Sequence, residues 1–370
     1  MSIPYGKQYI DEKDIQEVVA TLKSNYLTTW PKVAEFEQKL CAYTWSKYAV
    51  AVGNGTQALH IAYQTIWLQA GDEIITTANT FVATSNAALF CWATPVFCDI
   101  ELENYNIDAN KIENLITAKT KAIVPVHFAG QPCEMTKIWD IAKKYWLQVI
   151  EDWAHALGAQ YNWIKIGNTQ SDMVTLSFHP VKPITTGEWG AVLTNNKEYY
   201  EKLLKLRSHG IERDEKWFNN MVYLWNNYRI TDIQCALWCS QMDKLDYFLE
   251  SRKNIVKKYN ENLHNTKWII LPKEKDNTIC GWHLYVVRFE TEEIRDNVMS
   301  ELKQKWYWVT LHYPPVYSHT YYREHGYKDT TLPNAELYYK TCLSLPIFVG
   351  LEDKDIDAVC FIIKDMAWRK

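Results

Sequence analysis

The sequence of 370 residues contains no long apolar run and no excess of one charge. No segment approaches the about 20 consecutive apolar residues that a membrane-spanning helix requires, so no membrane partner is expected. Forty basic against 44 acidic residues give a net charge of −4, which argues against a nucleic-acid partner. The first residues are polar and acidic, unlike a signal peptide, and the predicted location is the cytoplasm.

Paired cysteines are also missing, although the chain has nine cysteines. There is no C-x-x-C pair, and Cys235 and Cys239, four apart on a predicted helix, lack the further ligands that a zinc site requires. His127 and Cys133 are likewise interpreted as structural, because a metal held there would lack other ligands. We therefore predict reduced thiols and no metal site.

Glycine is scarce, with 13 residues where average usage of about 7% predicts roughly 26. Tryptophan, usually the rarest residue, occurs 17 times. Glycine serves where φ is positive or where two backbones approach closely, so its depletion removes residues that turns need. The two departures run in opposite directions, as they would if tryptophan stood in place of glycine.

Strand-like and helical segments alternate over the first two-thirds of the chain. Helices are predicted at 11–23, from Thr56 to about residue 69, and at 135–145. Strand-like runs occur at 48–52, 73–77, 95–99, 122–127, 148–152 and 173–178. This alternation predicts a mainly parallel sheet covered on both faces, which binds ligands at the carboxyl ends of its strands.

The pattern changes near residue 248 and predicts a second, smaller α+β domain. Its predicted elements are a helix at 251–262, a strand at 283–288, a helix near 295–304 and a strand at 309–313. We therefore predict a large domain over 1–247 and a small domain over 248–370, joined near 245–250.

Two residues of opposite charge follow two of the predicted strands. Lys182 lies in the turn-rich segment 177–188, and Asp152 ends the strand at 148–152. Pyridoxal 5′-phosphate (PLP) chemistry requires such a pair, since an amine binds the cofactor and a carboxylate keeps its pyridine nitrogen protonated. The lysine must also be neutral part of the time, which burial and a cationic neighbour favour. On these residues alone, a solvated surface lysine remains the alternative.

The segment Gly53-Asn54-Gly55-Thr56 lies between a predicted strand and a predicted helix. Backbone N–H groups and the positive end of the helix dipole suit a phosphate there. A plain strand-to-helix turn would look the same, and the third glycine of a dinucleotide-binding motif is missing.

Together these segments resemble the sugar aminotransferases of the DegT/DnrJ/EryC1/StrS family, PLP enzymes of fold type I, essentially from end to end. The resemblance implies an α/β fold with a mainly parallel seven-stranded sheet and a smaller C-terminal α+β domain. The segments that carry it include residues 177–188, PYGKQ at 4–8, YLTT at 26–29, VHFAGQPC at 126–133, NYR at 227–229, TDIQ at 231–234, WHLYVVR at 282–288 and HY at 312–313.

The resemblance also implies residue roles around PLP. Lys182 would hold the cofactor and move the proton, while Asp152 would pair with the pyridine nitrogen. His155 would lie near the ring and Phe81 over it, with plain core packing as the alternative for Phe81. The phosphate and nearby substrate would be bound by Gly55, Thr56 and Ser177.

Further positions match residues that bind the nucleotide sugar or act between subunits. Asn227 matches a residue that reaches the cofactor and substrate in the partner subunit's site, which implies a homodimer with shared active sites. The remaining substrate contacts implied by the resemblance are Tyr5, Asn25, Tyr26, Leu27, Thr28, His312 and Tyr313.

Within the family, three motifs favour the branch that serves pseudaminic acid biosynthesis. They imply transfer of an amino group from L-glutamate to C4 of a UDP-linked 4-keto-6-deoxy-hexosulose. Amination of another keto sugar nucleotide is the nearest alternative. A related sugar dehydratase is disfavoured because such enzymes replace the lysine with histidine. A non-catalytic relative is disfavoured because Lys182, Asp152 and Ser177 are all present.

The chain departs from the family where glycine is usual and tryptophan occurs instead. Some bacterial lineages read UGA as glycine, while another code reads it as tryptophan, so we hypothesise misread UGA codons. Trp282 is interpreted as native, because this branch has tryptophan there, and a lineage with many real tryptophans is the alternative. The glycine-like positions are Trp30, Trp45, Trp67, Trp92, Trp146, Trp163, Trp189, Trp225, Trp238 and Trp308.

Overall fold

The computed structural model describes residues 2–185, 187–213 and 218–366. Its first nine strands are β1 (Tyr48–Val52), β2 (Glu73–Thr77), β3 (Thr94–Cys98), β4 (Thr120–Val124), β5 (Gln148–Asp152), β6 (Gln160–Tyr161), β7 (Ile164–Lys165), β8 (Met173–Ser177) and β9 (Gly190–Thr194). Seven of them form one sheet of order β1-β9-β8-β5-β4-β2-β3, in which β3, β2, β4, β5 and β8 are parallel. The predicted mainly parallel seven-stranded sheet is confirmed.

The six strands predicted from the sequence are all present, with ends shifted by up to three residues. The prediction missed β9, which pairs antiparallel with both β1 and β8. The loop after β8 turns directly back into β9, and a strand that returns without a crossover helix must pair antiparallel. This return loop contains Lys182. Because β8 and β9 are paired, both ends of the segment with the candidate lysine are fixed in the sheet.

Eight helices of the described chain accompany the large sheet, and polar caps start several of them. Asp11 caps the first helix in a reciprocal box with Asp14, and Asn54 caps the third by accepting from the Gln57 N–H at 2.8 Å. The third helix ends at Thr65, shorter than predicted. The helices are α1 (Glu12–Leu22), α2 (Lys32–Thr44), α3 (Gly55–Thr65), α4 (Ala83–Phe90), α5 (Ala109–Ile112), α6 (Met135–Tyr145), α7 (Lys197–Arg207) and α8 (Asp232–Met242).

The remaining elements form a hairpin and a smaller unit. The hairpin joins β10 (Ile211–Arg213) to β11 (Asn219–Met221). The smaller unit packs helices against a three-stranded sheet of order β12-β14-β15. Its elements are α9 (Leu245–Leu263), β12 (Ile269–Ile270), β13 (Thr278–Ile279), which pairs with β6, β14 (Tyr285–Phe289), α10 (Glu292–Gln304), α11 (Thr320–Tyr322), α12 (Pro333–Thr341), β15 (Cys342–Leu345) and α13 (Asp353–Asp365).

Two predictions for this smaller unit need correction. The strand predicted at 309–313 is wrong, because Thr310 forms only an isolated bridge to Ser344. The strand that pairs with β14 on this side is β15, whose apolar run was not singled out from the sequence. The strand predicted at 283–288 begins two residues later, at Tyr285.

The predicted joint at 245–250 lies inside α9, so a helix rather than a loop connects the two units. Leu245 and Phe248 pack into the core beneath the large sheet, whereas Ile255 and Tyr259 pack into the core of the smaller unit. We propose residue 248 as the boundary because the helix passes from one core to the other there. The N-terminus crosses this division, since Ile3 bridges to Tyr307.

The apolar length of the helices and the state of the cysteines are two further properties of the described chain. Among the described residues, no helix is long and apolar enough to cross a membrane. All nine cysteines lie in the described part of the chain as free thiols, and eight of them are buried. Burial raises the pKa of several of these thiols, Cys98 among them to about 12, which keeps them protonated and unreactive.

Five of the ten tryptophans at glycine-like positions have a left-handed backbone. Their φ angles lie between 58° and 64°, and all five indoles are exposed. A side chain in this conformation costs about 1–2 kcal/mol, and exposed indoles offset little of it by burial. The positions are Trp45, Trp67, Trp92, Trp146 and Trp163.

Three further tryptophans of this set are enclosed with an unpaired indole N–H. Within the described chain, Trp189, Trp225 and Trp238 have no acceptor for their Nε1–H groups. Each such group costs about 1–3 kcal/mol, comparable with a fair part of a domain's stability of about 5–15 kcal/mol. The exposed residues Trp30 and Trp308 have neither a left-handed backbone nor a buried, unpaired indole N–H.

Backbone conformation alone does not separate native from misread tryptophans. Trp282, interpreted as native, has a φ of 44°, and Trp306, which was not in the glycine-like set, has a φ of 66°. The decoding hypothesis therefore stays a prediction about the gene.

We predict UGA codons at Trp30, Trp189, Trp225 and Trp308, with UGG at Trp282. Protein from the native host should contain glycine at the first four of these positions by mass spectrometry. A version with glycine at all ten sites should resist urea better than the sequence as written, because about 1 kcal/mol of backbone strain is removed at each left-handed position.

The matched control for that comparison is Trp139→Gly. Trp139 is helical and donates its Nε1–H to Ser171 Oγ at 2.7 Å, so its removal should lower stability. UGG codons at the predicted UGA sites, or equal urea midpoints for the two versions, would contradict the decoding hypothesis.

Candidate active site

A cavity of about 520 Å³ opens where β1, β5 and β8 end at their carboxyl sides. This is the edge at which a parallel sheet was expected to bind a ligand. Ten of the fifteen predicted site residues line the cavity. They are Tyr5, Gly55, Thr56, Phe81, Asp152, His155, Ser177, Lys182, His312 and Tyr313.

Lys182 lies in the return loop between β8 and β9, where its N–H donates to the His179 carbonyl at 2.8 Å. Its Nζ lies 3.4 Å from His283 Nε2. Burial lowers the pKa of the Lys182 amine from 10.5 to about 7; the Asp152 carboxylate opposes this shift, and the Arg252 cation adds to it. A substantial fraction of this amine is therefore neutral near pH 7, as a nucleophile or a proton acceptor must be.

Asp152 ends β5 with its side chain buried in the cavity floor. Its Oδ1 accepts from the Ala154 N–H at 3.0 Å, and its Oδ2 accepts from the Thr84 hydroxyl at 2.8 Å. Burial raises the pKa of this carboxyl, while the two donors and the Lys182 amine lower it. The site thus holds a carboxylate whose charge depends on its hydrogen-bond donors.

Three buried histidines lie near the lysine: His155 follows β5, while His283 and His312 belong to the smaller unit. The His155 and His283 rings lie 4.5 Å apart, and His312 bonds to Ser344 through Nδ1 at 2.8 Å. Burial lowers the pKa of each, that of His312 to about 3, so all three rings are neutral at physiological pH. Neutral rings let the lysine stay close without charge repulsion.

His155 has a defined tautomer. Its Nδ1 accepts from the Ala129 N–H at 3.3 Å, which places the ring proton on Nε2, and Nε2 lies 3.3 Å from the Tyr313 hydroxyl. The His155 Nε2–H therefore donates to the hydroxyl oxygen of Tyr313, which also lines the cavity.

The start of α3 forms the polar end of the cavity. The first N–H groups of a helix lack partners within the helix, and Gly55, the first residue of α3, lies against Ser177 at the end of β8. A Cβ on Gly55 would lie 2.8 Å from Ser177 Cβ, so only glycine permits this approach. Glycine, two hydroxyl groups and the positive end of a helix dipole make this end suitable for a phosphate.

A sequence model of the DegT/DnrJ/EryC1/StrS aminotransferase family matches residues 8–364. The chain belongs to this family. It is 38% identical to the UDP-4-amino-4,6-dideoxy-N-acetyl-beta-L-altrosamine transaminase of Campylobacter jejuni over 358 residues, 95% of this chain and 94% of the relative. The protein is therefore a PLP-dependent sugar aminotransferase.

Solved structures agree with this assignment. Helicobacter pylori PseC, an aminotransferase involved in the biosynthesis of pseudoaminic acid, superposes with a TM-score of 0.94 at 30% identity and full coverage of both chains. A Streptococcus pneumoniae protein solved in its PLP form gives a TM-score of 0.95 at 29% identity, covering 100% of this chain and 99% of its own.

The cavity of the aminotransferase fits PLP by its chemistry. The buried Asp152 has no ion-pair partner within 4 Å among the described residues, which leaves its charge available for a protonated pyridine nitrogen. The gap kept open by Gly55 lies beside two hydroxyl groups, as a phosphate requires. We propose that Asp152 faces the ring nitrogen, Lys182 the reactive carbon, and Gly55, Thr56 and Ser177 the phosphate.

Phe81 lies at the mouth of this cavity rather than in the core. It is 57% exposed, so the core-packing alternative is wrong, and its ring lies 6.0 Å from that of Tyr313. An aromatic face at the entrance is available to cover a cofactor ring.

Five predicted residues of the aminotransferase lie outside the cavity. Thr28 and Asn227 line a separate open groove beside Arg207 and Arg229. The other residues outside the cavity are exposed on the surface, and they are Asn25, Tyr26 and Leu27. One copy of the chain therefore does not bring these five to the lysine.

His127 and Cys133 belong to a buried network apart from the cavity. His127 Nε2 bonds to Glu151 Oε2 at 2.9 Å, and its Nδ1 accepts from the Cys133 N–H at 3.0 Å. Trp153 Nε1–H also donates to Glu151. Both ring nitrogens are engaged, which supports the structural interpretation.

His283 and Thr84 are among the cavity residues for which no role was predicted from the sequence. His283 lies within the WHLYVVR motif, where a polar residue precedes an apolar strand, and this pattern was its signal. Thr84 lies in a helix start beside two other polar residues, Ser85 and Asn86, and gave no signal, since its partner Asp152 is 68 residues away.

Lys182→Ala should abolish turnover while keeping the fold. Borohydride should attach PLP permanently to Lys182 in the unchanged enzyme, and the modified peptide should be identified by mass. Lys182→Arg, which keeps the charge but not the nucleophile, should be equally inactive. A protein that gains no visible absorbance with PLP would contradict the role of this lysine.

The unloaded enzyme should show a pH dependence at the same amine. Its labelling by an amine-specific reagent should reach half its maximum near pH 7 and fall at lower pH, because protonation removes the nucleophile. An ordinary lysine titrates at a pH of about 10.4 and serves as the reference. A Lys182 midpoint above pH 9 would contradict the burial argument.

Asp152→Asn should keep the fold but lose turnover, because an amide cannot hold the ring nitrogen protonated. The loss of a hydrogen bond to a charged group, about 1.5–3 kcal/mol, predicts a decrease of about ten- to hundredfold in kcat. The matched control is Asp172→Asn, since Asp172 binds the Val149 N–H at 2.8 Å but lies outside the cavity. Near-normal turnover in Asp152→Asn would assign Asp152 another role.

Proposed function

We propose that the enzyme transfers an amino group from L-glutamate to C4 of a UDP-linked 4-keto-6-deoxy-hexosulose. The product would be UDP-4-amino-4,6-dideoxy-N-acetyl-β-L-altrosamine, formed in the cytoplasm. The observation that carries the proposal is the pairing of Lys182 and Asp152 in one cavity, in a chain 38% identical to the Campylobacter jejuni transaminase over nearly its whole length.

The proposed chemistry divides into two half-reactions at the same amine. Bound PLP supplies an electron sink for the carbon that loses its proton. Lys182 Nζ, neutral near pH 7, would move a proton from the carbon of the amino donor to the cofactor carbon in the first half, and from the cofactor carbon to the sugar carbon in the second. Asp152 holds its negative charge opposite the ring nitrogen throughout both halves.

The sugar would enter past Tyr5, His312 and Tyr313. The Tyr5 and His312 rings lie 5.3 Å apart, and Tyr5 is half-buried at the cavity wall. Tyrosine hydroxyls and imidazole nitrogens can bond to sugar hydroxyls, while the aromatic faces pack on the sugar ring. Burial also excludes the water that would compete for the proton.

We propose a homodimer because an exposed apolar surface adjoins the predicted residues outside the cavity. On the hairpin and the segment after it, Phe218, Met221 and Leu224 are 65%, 60% and 88% exposed. Large exposed apolar patches mark interfaces. A second copy packed here would bring Asn227 of one subunit toward the cavity of the other.

The test of the substrate is an assay of the purified enzyme with L-glutamate and a panel of keto sugar nucleotides. The UDP-linked 4-keto-6-deoxy-hexosulose should give the highest kcat/KM, with 2-oxoglutarate formed in equal amount. A higher value for a different base or a 3-keto sugar would instead establish amination of another keto sugar nucleotide.

Mixing two inactive variants tests the shared site. Lys182→Ala chains and Asn227→Ala chains, each inactive alone, should together recover roughly a quarter of the normal activity, because half of randomly mixed dimers are hybrids with one intact site. Asn226→Ala is the matched control, expected to be active by itself. No recovery despite demonstrated subunit exchange would place Asn227 in its own subunit's site.

A further inference from the structure

Thr84 contacts the candidate carboxylate of the site from an element with no other assigned role. It is the second residue of α4, fully buried, and its Oγ1 lies 2.8 Å from Asp152 Oδ2. Tyr63 donates its hydroxyl to the Thr84 carbonyl at 2.9 Å, which anchors the backbone at this position. The hydroxyl is therefore held against the carboxylate by packing and by a backbone contact.

The direction of this hydrogen bond follows from the chemistry of its partners. An ionised carboxylate only accepts, so Thr84 donates to Asp152. The alternative acceptor for the same proton, the Phe81 carbonyl, lies at 3.4 Å and is the weaker contact. Thr80 Oγ1 lies 2.9 Å from Thr84 Oγ1, and because the Thr84 proton is already used, Thr80 must be the donor of that bond.

The two hydroxyl groups thus form a buried relay directed at the carboxylate. Consecutive hydrogen bonds in a low-dielectric interior polarise one another, so the Thr80 donation strengthens the bond from Thr84 to Asp152. The second donor to Asp152 is a backbone N–H, that of Ala154, which any residue except proline would supply. Thr84 is therefore the side chain that donates a hydrogen bond to Asp152.

We propose that Thr84, oriented by Thr80, is a positioning residue that fixes the Asp152 carboxylate and holds its negative charge opposite the ring nitrogen of PLP. This rests on the proposed role of Asp152 in the site. Thr84 touches neither the reacting carbon nor the amine, and it acts only through Asp152.

The consequence is a dependence of PLP binding on pH. Burial raises the pKa of Asp152 and the Thr84 hydroxyl lowers it, so loss of the hydroxyl shifts protonation of the carboxyl to higher pH. The other titratable groups that face Asp152 are Lys182, His127, Tyr63 and Tyr313, and none is altered by a change at residue 84.

The experiment measures the dissociation constant of PLP from the unloaded enzyme between pH 5.5 and 8.5. Thr84→Val has nearly the same shape without the donor, and it should weaken PLP binding about ten- to hundredfold, most strongly at low pH. Thr84→Ser restores the hydroxyl and should return the constant to within about threefold of the original. Thr80→Val, which leaves Asp152's own contacts in place, should give an intermediate loss.

Two outcomes would overturn the proposal. One is a folded Thr84→Val protein that binds PLP as the original does across this pH range. The other is an equal loss from Thr84→Val when Asp152 is already asparagine, since a residue acting only through Asp152 has no further effect there. If Thr84→Val does not fold, Thr80→Val becomes the test of the proposal. An unchanged pH dependence of the PLP dissociation constant in that variant overturns the relay. Asp152→Asn alone tests the role of Asp152 separately.

Discussion

Removing a carboxylate from water costs free energy unless donors or cations replace the lost hydration, and Asp152 lies buried at the end of β5. Its neighbours are arranged around this requirement. A helix start supplies the Thr84 hydroxyl, the following turn supplies the Ala154 N–H, and the return loop supplies Lys182. The lysine is held in turn at a lowered pKa by the same burial. The charge on Asp152 and the charge on Lys182 therefore depend on one another.

The parallel sheet sets the distances on which this pairing depends. β5 and β8 are neighbours, with Asp152 opposite Thr175, so Ser177 and the loop with Lys182 begin two residues further along the same edge. β1 and β9 place the start of α3 on the other side of β8. The carboxylate, the amine and the helix start thus reach one cavity from three elements distant in sequence.

The smaller unit closes the cavity, and a single helix couples it to the sheet. Arg252 on α9 is fully buried and donates to the carbonyl oxygens of Trp282, His283 and Ile347. These bonds fix the backbone from which the His283 ring approaches Lys182. Because α9 also packs into the core beneath the large sheet, the position of His283 relative to the lysine follows from the folding of both units.

The alternation of strands and helices, the parallel sheet, and the candidates Lys182 and Asp152 could be predicted from the sequence, because they follow from local periodicity and from residues at strand ends. The family resemblance added roles for individual residues around the cofactor. The tertiary fold set the antiparallel β9, the helical connection between the two units, and the absence of a strand at 309–313. It also decided the contacts of Thr84 and His283, and it left Asn227 outside its own subunit's cavity. Such features depend on which distant segments meet, and pairing between distant segments leaves no periodic pattern in either of them.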